Sequence, residues 1–212
     1  FIPYIGFALI VLGQFRITQA LIVQKNHDQS AGTTKRLSSV QLLRKAENSL
    51  RRGLVLEGLE AEMRSEGLLA LAQVAFLLGE IESAHQQTLH VLEEARRYDQ
   101  TWLLACAQRL LGNILSAQGQ RLEAATYFSQ SLQTLKERGM RLEWARTMRD
   151  YNESILRHSQ SNNDDCERAI THLQEARQVF EECGATLDLA LIDRSLAAYA
   201  TPAPATTRKS DR

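Results

Sequence analysis

The apolar positions between residues 60 and 200 recur in the rhythm of helices. Ala124, Phe128, Leu132 and Leu135 advance by four, four and three, and Ala169, Leu173, Ala176 and Phe180 by four, three and four. Each series keeps to one face of a 3.6-residue period. The pattern predicts helices near 60–78, 81–97, 101–117, 121–138, 141–158 and 166–183, and an amphipathic one upstream at 38–53. A closing helix near 186–199 stops before Pro202. All three prolines (Pro3, Pro202, Pro204) lie at the ends, so none interrupts a helix interior between residues 4 and 201. The run is rich in Leu, Ala, Glu, Gln and Arg, which favour helix.

The pattern also repeats. A shift of forty lays Leu71, Ala75, Gly79 and Ala84 on Leu111, Leu115, Gly119 and Ala124. A second forty lays Ala105, Leu111 and Leu115 on Ala145, Tyr151 and Ile155. The shift then becomes forty-five: Ala124 meets Ala169, and Gly139 meets Gly184. The five additional residues fall in the polar stretch SQSNNDD, 159–165, which reads as a loop. Gly79, Gly119, Gly139 and Gly184 suit helix C-termini that need a left-handed residue. Ala84, Ala124 and Ala169 suit crossings where two helix axes approach closely. The expected fold is therefore all-α: an α-solenoid, a right-handed stack of antiparallel helix hairpins with a period of about forty residues. Its divisions are an apolar N-terminal helical segment at 1–27, a linker at 28–37, the repeat domain at 38–200 and a disordered tail at 201–212.

Residues 1–15, FIPYIGFALIVLGQF, carry no charge until Arg16. That run is shorter than the roughly 20 residues a helix needs to cross a bilayer, and it has neither the basic start nor the cleavage site of a secretory signal. A buried repeat helix is the expectation, with a membrane anchor through residues 1–24 as the alternative. Lys plus Arg equals Asp plus Glu at 25 each, so no overall excess points to nucleic acid. The three cysteines (Cys106, Cys166, Cys183) lack metal-binding spacing and read as buried reduced thiols of a cytoplasmic protein.

The units resemble tetratricopeptide repeats, most clearly in LLGNILSAQGQRLEAATYF. Leu111-Gly112 supplies the leucine–glycine pair, Leu115 stands where an aromatic is usual, and Ala124 is followed four residues later by Phe128. Gln108 occupies the leading tryptophan site, no proline closes the unit, and the period is forty rather than 34. Longer repeats of this kind are similar to the C-terminal helical arrays of bacterial multidomain regulators, where they follow an ATPase, cyclase, kinase or DNA-binding module. The ending EARQVFEECGATLDLALIDRSLAAY is similar to how such chains finish. The resemblance covers about residues 60–200. It implies a non-enzymatic protein- or peptide-binding scaffold, the interaction or regulatory segment of a larger signalling protein. A membrane-tethered scaffold and a small-effector sensor are the alternatives.

Such arrays present a concave surface lined by the first helix of each hairpin. Arg109, Arg149 and Arg194 are equivalent under the shifts of forty and forty-five, Asn113 follows Arg109 by a turn, and Arg146 and Glu153 flank Arg149. By analogy with tetratricopeptide grooves these six positions face the ligand. Arginine's planar fork suits a carboxylate, so the expected partner is a protein or peptide with an acidic segment, not nucleic acid.

No Walker, GxGxxG, HExxH or GxSxG pattern occurs, and neither a cofactor nor a metal is expected. His85 and His90 are five apart and point to different helix faces. His158, His172 and Cys166 flank the polar loop without a third group to orient a base. Asp164-Asp165 lacks calcium-loop spacing, and the sequon at Asn152 falls inside a helix. Trp102, Trp144, Phe128 and Phe180 are expected in the core.

Overall fold

The computed structural model describes residues 2–25, 33–158 and 163–200. Among the described residues the regular structure is all α-helix, with no strand. Its elements are α1 (Ile2–Lys25), α2 (Thr33–Leu54), α3 (Ala61–Leu77), α4 (Ile81–Arg97), α5 (Thr101–Ala117), α6 (Arg121–Glu137), α7 (Arg141–His158), α8 (Asn163–Glu182) and α9 (Thr186–Ala200). The disordered tail expected at 201–212 lies outside the described residues, as does the first half of the linker expected at 28–37. α2 takes up the rest of that linker from Thr33. Of the loop expected at 159–165, residues 159–162 lie outside the described residues, and 163–165 instead open α8, with Asp164 and Asp165 in its first turn. Carboxylates are favourable there, against the positive end of the helix dipole.

The forty-residue period has a simple origin. α3 through α6 are each 17 residues long, and each is joined to the next helix by three residues. The connections share one geometry. Gly79, Gly119, Gly139 and Gly184 all have φ between 64° and 81°. Each donates its N–H back to the carbonyl three residues earlier, and the next residue reaches five back, as Glu80 N to Ala75 O at 2.9 Å and Gln120 N to Leu115 O at 2.9 Å. This pair of bonds satisfies carbonyls that a helix end leaves free. The connection from α4 to α5 does the same with Asp99, whose φ is 51°.

Every helix packs on the next in sequence, and the odd-numbered helices also touch one another: α1 on α3, α3 on α5, α5 on α7, α7 on α9. The core runs as successive apolar clusters along this order, from Ile10, Leu43 and Leu50 near α1–α3 to Leu173, Phe180 and Ile192 near α7–α9. Ala84, Ala124 and Ala169 are all buried, as a close helix crossing requires. Gly112 has a packing reason too: a Cβ there would stand 3.0 Å from three atoms of the Phe128 ring. That ring is fully buried and stacks on Tyr151 of α7 at 5.1 Å between centroids.

Three expectations about individual residues are corrected. Trp102 is not a core residue; it is 36% exposed. Cys183 is exposed rather than buried, while Cys106 is buried and Cys166 half-buried. α1 is not buried all round: Ile5, Phe7, Val11, Leu12, Phe15 and Ile22 are exposed.

Candidate functional site

The odd-numbered helices line a half-open cavity of about 540 Å³, and every lining residue comes from α1, α3, α5, α7 or α9. The α1–α3 end is lined by Gln14, Glu66, Leu69 and Gln73, with Trp102 at the start of α5. The α5–α9 end is densely charged.

Three arginines and three carboxylates form a closed ring there, alternating in sign. Arg109 lies 2.7 Å from Glu143; Glu143 lies 2.6 Å from Arg146; Arg146 lies 2.8 Å from Asp188. Asp188 continues to Arg149 at 2.9 Å, Arg149 to Asp150 at 2.9 Å, and Asp150 returns to Arg109 at 3.8 Å. The ring ties α5 to α7 and α7 to α9, and its formal charges cancel. Asn113 donates to Asp150 at 3.0 Å, and Arg149 also lies over the Phe180 ring, 5.8 Å from its centroid.

The contacts repeat with the sequence. Arg109–Glu143 between α5 and α7 becomes Arg149–Asp188 between α7 and α9. Cys106–Glu143 becomes Arg146–Asp188, and Asn113–Asp150 becomes Glu153–Ser195. In each case the first residue moves by forty and the second by forty-five.

The ring sets the ionisation of its members. Burial alone would raise the Glu143 carboxyl, but the Arg109 and Arg146 guanidiniums overcome it and hold the group below its ordinary value. Asp150 is likewise desolvated, and is lowered by Arg149, Arg109 and the Asn113 amide. Glu153 goes the other way: burial raises it, Arg149 offsets only part of that, and Asp150 adds to the rise. Glu66 is also raised by burial, against a hydrogen bond from Gln14. Burial pushes the Cys106 thiol up to about 12, which keeps it protonated and unreactive.

All six positions singled out from sequence (Arg109, Asn113, Arg146, Arg149, Glu153, Arg194) line this one cavity. Sequence reasoning missed their carboxylate partners. Glu143 and Asp188 are themselves equivalent under the shift of forty-five, a signal that was open to reading. The partners change the chemistry: the forks of Arg109, Arg146 and Arg149 are occupied by this chain's own carboxylates. Elsewhere, His158 contacts Ser116 at 3.5 Å and His172 contacts Asn152 at 3.2 Å. Among the described residues, no cluster of three or more His, Cys, Asp or Glu is placed to hold a metal.

No protein-family model matches the chain, and no curated protein matches it. Among solved structures it is similar to the crystal structure of BtubC (BKLC) from P. vanneervenii, at a TM-score of 0.50 and 14% identity, covering 97% of this chain and 96% of that one. At that identity the likeness speaks to fold alone. With its helices and their recurring contacts, it makes this chain an all-helical, repeat-like array.

Proposed function

We propose that this chain is a non-enzymatic scaffold that binds a protein or peptide segment in the cavity between its odd-numbered helices. In this reading the helices form a solenoid of tetratricopeptide-like hairpins, and the chain serves as the interaction or regulatory segment of a larger bacterial signalling protein in the cytoplasm. The cavity carries the argument. Helices from successive units all contribute to one concave surface of mixed polar and apolar lining, which is where arrays of this class take ligands. The surface is held by ion pairs before any partner arrives, so binding costs little ordering entropy.

The balanced ring bears on the partner. An acidic segment must displace Glu143, Asp150 or Asp188 from an arginine rather than meet a free fork, so acidity gives selectivity by exchange and little raw attraction. Trp102 is the natural anchor for an apolar or cationic side chain. Panning a peptide-display library on the purified chain tests the reading. Binders should be recovered, should shift Trp102 fluorescence, and should weaken at least about tenfold with Trp102→Ala or Asn113→Ala. No binders, or binders indifferent to both substitutions, would sink it.

A small-effector sensor is the second reading, favoured by the convergence of Arg109, Arg149, Glu153 and Arg194 on one cavity. A thermal-shift screen against metabolites separates it from peptide binding.

A further inference from the structure

α1 is apolar over most of its surface, with Gln14 and Thr18 turned to the cavity, and its two main apolar sides differ in size. The side toward α2 is small and buried: Gly6, Gly13 and Ala20, with Ile10 and Ile17, against Leu43, Ala46 and Leu50. A Cβ on Gly13 would stand 2.5 Å from Leu50, so the two helices fit too closely for any larger residue. The opposite side is large and exposed, with Phe7, Val11, Phe15 and Ile22 in one stripe and Ile5 and Leu12 beside it; Phe15 is 56% exposed. Over Ile5–Val23 the mean hydropathy is 1.7. The one charge within that span, Arg16, is turned to α2, where it donates to Lys45 O at 2.9 Å and to Ser49 Oγ. The outward face is therefore free of charge.

The overall balance of charge conceals a division. Residues 1–54 hold eight basic residues (Arg16, Lys25, Lys35, Arg36, Arg44, Lys45, Arg51, Arg52) and two acidic ones (Asp28, Glu47), a net of +6. The remaining residues therefore carry a net of −6. On α2, Arg44 and Arg51 are engaged by Glu47, and Arg44 also by Glu80. Lys45 and Arg52, seven residues apart, share an exposed face. Lys45 also supplies an acceptor for Arg16, so this basic face adjoins α1.

We propose that α1 and α2 together dock the protein on an anionic lipid bilayer. α1 lays its outward face into the boundary between headgroups and acyl chains, and Lys45 and Arg52 meet the lipid charge. The membrane-facing side is thus the part of the chain with the basic excess, and the acidic excess belongs to the remainder of the sequence. Charge decides against a second copy as occupant, because pairing these faces brings the exposed Lys45 and Arg52 of each copy toward those of the other. Packing decides against spanning. A crossing α1 would strip Arg16 of its acceptors, carry its guanidinium into hydrocarbon, and uncover Leu43, Ala46 and Leu50. The proposal is independent of the cavity and survives or falls separately from it.

Cosedimentation of the full chain tests it, using vesicles of phosphatidylcholine alone and of phosphatidylcholine with a third phosphatidylserine, at low and high salt. The anionic vesicles should bind at least about tenfold more tightly, and high salt should remove most of the difference, since each basic residue near such a surface contributes about fivefold. The double variant Phe7→Ser/Phe15→Ser should lose binding. Lys45→Glu/Arg52→Glu, confined to exposed side chains and thus safe for the fold, should weaken it about tenfold or more. Equal binding to both vesicles, or none to either, overturns the proposal. So does a dimer by light scattering that disappears with Phe7→Ser/Phe15→Ser, or retention on membranes through alkaline carbonate, which marks a spanning helix.

Discussion

Arg109 on α5 and Glu143 on α7 stand 2.7 Å apart, and forty residues on Arg149 makes the same contact with Asp188 of α9. One interaction thus appears at two successive interfaces, which marks the pair as part of how units join. Its partners are mostly shielded from solvent; the Glu143 side chain is 14% exposed. A charge in that position is costly without its counterpart.

Removing Glu143 should therefore destabilise more than its own contacts suggest. Glu143→Ala leaves Arg109 and Arg146 short of a partner, and a loss of about 2–4 kcal/mol is expected. Replacing both ends, as Arg109→Met/Glu143→Leu, should recover most of that loss, because the desolvation of both charges disappears with them. Urea unfolding of the wild type, the single variant and the double variant measures the difference.

The ring also predicts how stability varies with pH. Glu143 and Asp150 have folded-state values below their unfolded ones. Their contribution is present above the unfolded values and is lost as pH falls through the folded ones, so unfolding should become easier below the ordinary carboxylate range. Glu153 and Glu66 have the opposite sign. Their contribution is complete below the unfolded value and is lost as pH rises through the folded one. Glu153→Gln keeps an acceptor for Ser195 and removes the buried charge, so it should raise the melting temperature at pH 7 and leave it unchanged in acid. A loss at pH 7 would show that the attraction of Arg149 outweighs burial.

Gly112→Ala sets two effects against each other. A helical alanine gains about 1 kcal/mol over glycine. The added methyl would press at 3.0 Å on a Phe128 ring that is fully buried and stacked on Tyr151, and overpacking of this kind costs about 1–3 kcal/mol. Net destabilisation of about 1 kcal/mol is expected in chemical denaturation, packing outweighing propensity.

The turns give a cleaner conformational test. Nothing lies within 4 Å of a Cβ built on Gly119, so Gly119→Ala should cost about 1 kcal/mol through its φ of 81° alone. Asp99 holds the equivalent conformation without glycine's freedom. Asp99→Gly should stabilise by about 0.5–1 kcal/mol. Thermal unfolding of the two variants should thus move in opposite directions.

Much of this was legible in the chain because it is local. A helix face depends on which residues sit three and four apart, and a reversing turn on which residue tolerates positive φ, so the helix positions and four of the five three-residue turns followed from spacing. The same register brought six polar positions into one cavity. Asp99 escaped notice because its side chain gives no sign that the turn demands what glycine gives elsewhere.

Sequence by itself determined the helices, the forty-residue period and the small residues at their crossings, since each depends on neighbours within a turn or on an identical unit further along. Only the tertiary structure decided that the arginines are already paired, because Glu143 and Asp188 reach them from 34 and 39 residues away. It also decided that α1 hides its glycines and shows its phenylalanines. A helix with apolar residues on opposite sides has no preferred face until another helix packs against it.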